Sequence, residues 1–180
     1  MTYKVILDVD TGSDDAIAIM AAALSKDIEL IGISSVNGNR GIEITTENTL
    51  RVVDLLEKNI PVYKGCHLPL VSTLLKGRRD NIPFRGPENK EEDVHGDYLP
   101  APVAHSTPQP EHAVIWLVNT LLNAGEKLTL IFVGPLTNLA MALRIAPQIV
   151  DNINEIIIMG GGYLVNNITS GAEFNFWVDP

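Results

Sequence analysis

The 180-residue sequence is poor in cysteine, in aromatic residues and in basic residues. Cys66 is the only cysteine, so an intrachain disulfide and a cysteine-rich metal site are excluded, and a reducing, cytoplasmic location is expected. The chain has 13 Lys and Arg residues and 22 Asp and Glu residues, which gives a formal net charge of −9. This balance argues against nucleic acid or an anionic membrane as a partner, because both are bound through clustered basic side chains.

Long apolar runs are also missing. The best candidate for a membrane span, residues 128–143, is shorter than the roughly 18 residues required and contains Gly134 and Pro135. The N-terminus reaches Asp8 before any long apolar stretch, so no secretory leader is expected. We therefore expect no membrane partner.

The residues that are present predict an α/β fold. Hydrophobic residues make up 46% of the chain and charged residues 19%, which is enough apolar material for a sizeable core. Strands are predicted at 5–7, 29–36, 60–63, 128–133 and 155–159, and helices at 14–25, 42–58, 111–124 and 136–145. This alternation predicts one Rossmann-like domain over 1–180, an open and mostly parallel sheet with helices on both faces.

Residues 66–110 break this regular pattern. The stretch is rich in proline and mixes charge clusters with short apolar pieces. A long irregular segment inside a compact domain is usually functional or disordered. We interpret it as an active-site loop that covers a substrate and contains at most a short helix.

Four carboxylates follow the first predicted strand within eight residues: Asp8, Asp10, Asp14 and Asp15. The last two suit the first turn of a helix, for which Thr11 or Ser13 is predicted to supply the N-cap. The first two end an apolar strand and point to the same face, where they repel each other unless a cation or a shared proton intervenes. Oxygen ligands favour Mg²⁺ or Ca²⁺ over Zn²⁺, so this turn predicts a site for a hard divalent cation.

Polar and glycine-rich turns follow other predicted strands. Asn37-Gly38-Asn39 is typical of a simple turn, and either Thr137 or Asn138 is predicted to cap the helix after the fourth strand. Three glycines follow the fifth strand at 160–162, without the spacing of a dinucleotide-binding turn. Ligands of parallel sheets bind outside the carboxyl ends of the strands, so these turns are the candidate site.

Together, these segments resemble the inosine-uridine preferring nucleoside hydrolase family. The resemblance is carried, in chain order, by DVDTGSDDA (8–16), Asn39, GPLTNLA (134–140), MGGGY (159–163), AEFN (172–175) and VDP (178–180). It implies hydrolysis of the N-glycosidic bond of ribonucleosides to free base and ribose, by a homodimer or homotetramer. Family members are longer, and their C-terminal part supplies another ligand aspartate and often a histidine. The resemblance therefore also implies that the sheet and the site of this chain alone are incomplete.

The resemblance further implies roles for individual residues. It implies Ca²⁺, in preference to Mg²⁺, held by Asp10, Asp15 and the backbone carbonyl of Val133, with Asp8 as a further candidate ligand. Asp10 is implied to be the general base that deprotonates a Ca²⁺-bound water. His95, in the loop region, is a candidate for a place near the leaving base. The residues implied to contact ribose are Asp14, Asn39, Met159, Asn167, Glu173 and Asn175.

Two other interpretations are compatible with the sequence. A haloacid-dehalogenase-like Mg²⁺ phosphatase also begins with a strand and an Asp-x-Asp motif, but Gly12 stands where that motif has Thr or Val, and the adjacent Asp14 and Asp15 have no role in it. A non-catalytic fragment that binds metal or ribose is the other.

Overall fold

A computed structural model describes residues 2–74 and 98–180. Within them, five parallel strands form one sheet in the order β3-β2-β1-β4-β5. The strands are β1 (Tyr3–Val9), β2 (Ile28–Ser35), β3 (Val62–Lys64), β4 (Leu128–Phe132) and β5 (Ile153–Ile158). The strand order runs in opposite directions on the two sides of β1 and β4, and the crevice outside the carboxyl ends of these two strands is where such sheets bind ligands.

Helices connect the strands and cover both faces of the sheet. The α-helices are α1 (Ser13–Leu24), α2 (Ile42–Leu55), α3 (Ala113–Leu122), α4 (Thr137–Ile145) and α5 (Phe174–Val178). Short 3₁₀ helices span Ser72–Leu74 and Pro147–Asn152. Parallel strands need long crossover connections, which these helices supply.

Two apolar clusters lie on opposite faces of the sheet. In β1, Ile6 packs with α3 and α4, whereas Leu7 packs with α1 and α2, because successive side chains of a strand point to opposite faces. The first cluster includes Phe132 and Leu117, and both are fully buried. The central strands are thus apolar on both sides, as parallel strands usually are.

The predicted strands and helices are confirmed, although most of them begin or end a few residues away from the predicted bounds. Helix α2 stops at Leu55 instead of residue 58, and Glu57 has a positive φ of 52°, a conformation that does not continue a right-handed helix. Helix α3 starts at Ala113 instead of residue 111, because the His112 side chain accepts a hydrogen bond from the Val114 amide at 3.2 Å and so caps the helix.

Most of the predicted active-site loop, including His95, lies outside the described residues. Among the residues that are described, no helix is both long and apolar enough to cross a membrane. Strand β5 forms one edge of the described sheet, and Ile156, Ile157 and Ile158 are 38–47% exposed there.

Candidate active site

The carboxylates at the end of β1 are deeply buried. Asp8 lies within the strand and Asp10 directly after it, and their exposed fractions are 0% and 1%. Asp15, in the first turn of α1, is 3% exposed. Buried carboxylates are rare without partners, because a charge that leaves water loses a large hydration energy.

Asp8 is held by two side chains from neighbouring elements. Its Oδ2 accepts hydrogen bonds from the Ser34 hydroxyl and, at 2.8 Å, from Asn138 Nδ2. Ser34 is placed by the parallel register, which pairs Asp8 with Ser34 across β1 and β2. Burial raises the pKa of Asp8 to about 7, although the two hydrogen bonds oppose this rise. Asp8 Oδ1 is buried without a hydrogen-bond partner.

Asp10 and Asp15 converge on Asn39, which follows β2. The Asn39 amide donates to Asp10 Oδ2 at 2.6 Å, and Asn39 Nδ2 lies 3.1 Å from the Asp10 carbonyl and 3.4 Å from Asp15 Oδ2. Burial, followed by repulsion from Asp15, raises the pKa of Asp10 well above its usual range. Burial likewise raises the pKa of Asp15 to about 7. Both carboxylates are thus in a site that favours either protons or a cation.

Two glycines allow the backbone to approach Asp10 closely. A Cβ added to Gly38 would lie 2.0 Å from Asp10 Oδ2, and one added to Gly134 would lie 2.9 Å from Asp10 Oδ1. Gly134 follows β4, so this contact places the turn after β4 directly against the turn after β1. Any larger residue at Gly38 would displace the carboxylate.

A second polar group gathers at the ends of β4 and β5. Asn175 Nδ2, from α5, donates to the Val133 carbonyl at 2.9 Å and to the Met159 carbonyl at 3.1 Å. Glu173 caps α5 and is 8% exposed; its Oε2 accepts from the Gly161 amide at 3.0 Å. The two groups meet because the Val133 amide donates to the Asp8 carbonyl at 3.0 Å.

The remaining predicted site residues are placed less centrally. Asp14 is exposed at the start of α1. Asn167 is also exposed, and its Oδ1 accepts a hydrogen bond from the Phe174 amide at 2.8 Å, so it holds the start of α5.

The predicted helix caps are wrong. The N-cap of α1 is Gly12, whose amide donates to Asp15 Oδ2 at 3.0 Å, while the Thr11 hydroxyl contacts that of Thr49 at 2.7 Å instead. The N-cap of α4 is Leu136, and no side chain bonds to it. Thr137 donates to Asp179 and Asn138 to Asp8, because the tertiary structure brings a carboxyl group within hydrogen-bond distance of each side chain.

Two residues that hold Asp8 were not predicted to contact it. Ser34 and Asn138 were not connected with Asp8, although both contact its Oδ2. The signal for Ser34 is the polar pair Ser34-Ser35 in an otherwise apolar strand, and parallel pairing with β1 would have placed the first of them opposite Asp8. Asn138 is 130 positions from Asp8, and no local pattern connects them.

The donor set fits a hard cation in part. Among residues 2–74 and 98–180, no cluster of three or more His, Cys, Asp or Glu side chains has a geometry for metal binding. The pair Asp10 and Asp15 nevertheless offers carboxylate oxygens, and Asp15 Oδ1 is buried without a hydrogen-bond partner. Carbonyl oxygens are accepted ligands of hard cations. The Val133 carbonyl accepts a hydrogen bond from Asn175, and the next residue, Gly134, lies against Asp10 Oδ1.

Comparison with known families decides the relationship of the chain. The family model that describes the inosine-uridine preferring nucleoside hydrolases matches residues 5–180. This chain belongs to the nucleoside hydrolase family. The haloacid-dehalogenase interpretation is accordingly not favoured.

Individual nucleoside hydrolases are similar over the whole chain. The pyrimidine-specific ribonucleoside hydrolase RihB of Escherichia coli O157:H7 is 43% identical over 98% of this chain and 53% of its own length. The solved structure of a purine-preferring ribonucleoside hydrolase from Gardnerella vaginalis matches 98% of this chain and 55% of its own, with a TM-score of 0.80 and 32% identity. A plant nucleoside hydrolase, PpNRh1, matches with a TM-score of 0.84 and 28% identity, over 100% of this chain and 55% of its own. The chain thus spans about half the length of these nucleoside hydrolases.

Proposed function

We propose that the protein hydrolyses the N-glycosidic bond of ribonucleosides to free base and ribose, with a divalent cation at the acidic turn, residues 8–15. The observation that carries this proposal is the buried pair of Asp10 and Asp15, which converges on Asn39 at the carboxyl ends of β1 and β2. The relatives include pyrimidine-specific and purine-preferring enzymes, so we propose their shared substrate class, ribonucleosides, for this protein.

The cation that we propose is Ca²⁺, in preference to Mg²⁺. Asp10, Asp15 and the Val133 carbonyl would hold it, and Asp8 Oδ1 is a further candidate oxygen. A mixed set of carboxylate and backbone oxygens suits the flexible coordination of Ca²⁺ better than the strict octahedron of Mg²⁺. When bound, such an ion would lower the pKa of a water molecule, so that a carboxylate base could complete its deprotonation.

Asp10 is the proposed general base. Burial raises the pKa of Asp10 in the absence of a cation, and a bound cation would keep the carboxylate ionised, which is the form that accepts a proton. The Asn39 amide and the close backbone of Gly38 hold Asp10 Oδ2 in one orientation. A fixed orientation matters because a proton acceptor must lie within hydrogen-bond reach of the attacking water.

The second polar group would bind the sugar. Asn175 Nδ2 donates hydrogen bonds to two backbone carbonyls. These bonds would orient Asn175 Oδ1 as an acceptor for a ribose hydroxyl. Glu173 is fixed in the same way through Oε2. We propose that these residues bind ribose hydroxyls together with Asp14, Asn39, Met159 and Asn167. Hydroxyl contacts from fixed groups would position the sugar carbon against the attacking water, and nearby carboxylates favour its oxocarbenium-like transition state.

The test is ribose release from inosine, uridine and a nitrophenyl riboside, measured with Ca²⁺ and with a chelator. We expect Ca²⁺-dependent release that is lost in Asp10→Asn and retained in Asp151→Asn, which removes one exposed carboxylate elsewhere. Release that persists unchanged in Asp10→Asn would refute the role of Asp10. Turnover of an aryl phosphate without ribose release would instead support the phosphatase interpretation.

Two further properties are proposed from the sequence and the family alone. The first is assembly into a homodimer or homotetramer, which light scattering coupled to size-exclusion chromatography would test. The second is a cytoplasmic location, which cell fractionation would test.

A further inference from the structure

Asn48, a residue of helix α2 with a buried amide side chain, contacts the acidic turn. Asn48 is 2% exposed, and its Nδ2 donates to the Thr11 carbonyl at 3.1 Å. Its Oδ1 accepts a hydrogen bond from the Leu99 amide at 3.0 Å. Asn48 therefore joins two chain segments that lie 37 positions before it and 51 positions after it.

Thr11 is a sensitive position for the acidic turn. It lies between Asp10 and Gly12, and the Gly12 amide holds Asp15 Oδ2 at 3.0 Å. The neighbouring Thr49 contacts the Thr11 hydroxyl at 2.7 Å, so α2 holds both the side chain and the carbonyl of this residue. A displacement of Thr11 would therefore shift the carboxylates of Asp10 and Asp15 relative to each other.

The second segment, residues 98–101, depends on the same helix. Arg51, one turn after Asn48 on α2, donates to the carbonyls of Leu99 and Ala101 at 3.2 Å each, and its guanidinium lies 4.7 Å from the centre of the Tyr98 ring. Arg51 itself bonds to Glu47 and to residues 98–101. Of these two side chains, Asn48 is thus the one that bonds to both segments.

We propose that Asn48 is a positioning residue that links the acidic turn to residues 98–101, so that cation binding at the turn and ordering of this segment favour each other. This inference rests on the proposed function, because it requires a cation at the turn. The link is reciprocal: if the cation stabilises the Asn48 contacts, the intact contacts must strengthen cation binding by the same factor.

Asn48→Ala and Arg51→Met form a matched pair for the test. The first removes the bonds of Asn48 to Thr11 and Leu99, and the second removes the bonds of Arg51 to residues 98–101 and leaves Thr11 untouched. We expect Ca²⁺ affinity, measured by calorimetry, to fall roughly 2- to 10-fold in Asn48→Ala, the change that corresponds to one typical hydrogen bond. In Arg51→Met the affinity should stay within about 2-fold of the wild type, although the amides at 98–101 exchange faster with deuterium.

Hydrogen exchange at the Leu99 amide is the readout that a purely structural role would not change. In the wild type, Ca²⁺ should slow this exchange, and in Asn48→Ala the response to Ca²⁺ should disappear. If Asn48→Ala does not fold, Asn48→Asp keeps an oxygen acceptor for Leu99 but no donor for Thr11, and Leu99 should then be protected without responding to Ca²⁺.

Two results would overturn the inference while leaving the proposed function intact: unchanged Ca²⁺ affinity in Asn48→Ala, or equal losses in both variants. Absence of Ca²⁺ binding by the wild type would overturn the proposed cation site and, with it, this link.

Discussion

The buried carboxyl of Asp8 makes a prediction about stability in the absence of a cation. Its pKa is about 7 in the folded protein and close to the ordinary 3.8 in the unfolded chain. The folded state therefore holds a proton that the unfolded state has already released. The stabilisation is fully present below about pH 4 and is lost as the pH rises through 7.

The size of the effect follows from the two pKa values. Between pH 5 and pH 8 the wild-type protein should lose about 3 kcal/mol of unfolding free energy through Asp8. The loss is about 1.4 kcal/mol for each pH unit from 5 up to the pKa of about 7. Asp8→Asn cannot ionise and escapes this loss. Its carbonyl oxygen can still accept from Ser34 and Asn138, but its amide nitrogen would replace the unpartnered Oδ1 at a cost of about 1–3 kcal/mol.

The assay is urea unfolding in a chelator at pH 5 and pH 8. From pH 5 to pH 8, the free energy of unfolding of Asp8→Asn should increase by about 3 kcal/mol relative to that of the wild type. The cost of the unpartnered amide cancels in this comparison because it is present at both. Asp151→Asn, at an exposed position, controls for the loss of one carboxylate. If wild type and Asp8→Asn lose the same stability, the carboxyl of Asp8 is not the group that burial has perturbed.

Two substitutions test the packing around the acidic turn. Gly38→Ala should weaken Ca²⁺ binding at least 10-fold in calorimetry, because its Cβ would lie 2.0 Å from Asp10 Oδ2, whereas Gly41→Ala, with nothing within 4 Å of its Cβ, should leave the affinity unchanged. Equal effects of both would contradict the steric argument. Asn138→Ala should lower the free energy of unfolding by about 3 kcal/mol, since it removes the three hydrogen bonds of this buried side chain to Asp8, Ser35 and Cys66, at about 1 kcal/mol each. Asn154→Ala, which loses one longer bond of 3.3 Å, should cost less than about 1 kcal/mol in the same urea titration.

The sequence predicted the sheet and most of its strand ends because these depend on local patterns. The apolar runs at 5–7 and 128–133 are short, flanked by helical periodicity, and found in the structure within a few residues of the predicted bounds. The acidic turn was predictable for the same reason: a strand that ends in alternating aspartates is a local feature. The helix caps were predicted wrongly, because the side chains of Thr11 and Thr137 bond to distant groups instead of the nearest helix.

The sequence alone determined that this protein is a parallel α/β fold with a cluster of carboxylates at the end of its first strand. Only the tertiary structure decided which groups hold these carboxylates. Asn138 contacts Asp8 across 130 positions, and Asn48 joins Thr11 to Leu99 through bonds that span 37 and 51 positions. Such contacts depend on strand order and on the register between strands, and hydrophobic periodicity specifies only which face of each element is buried.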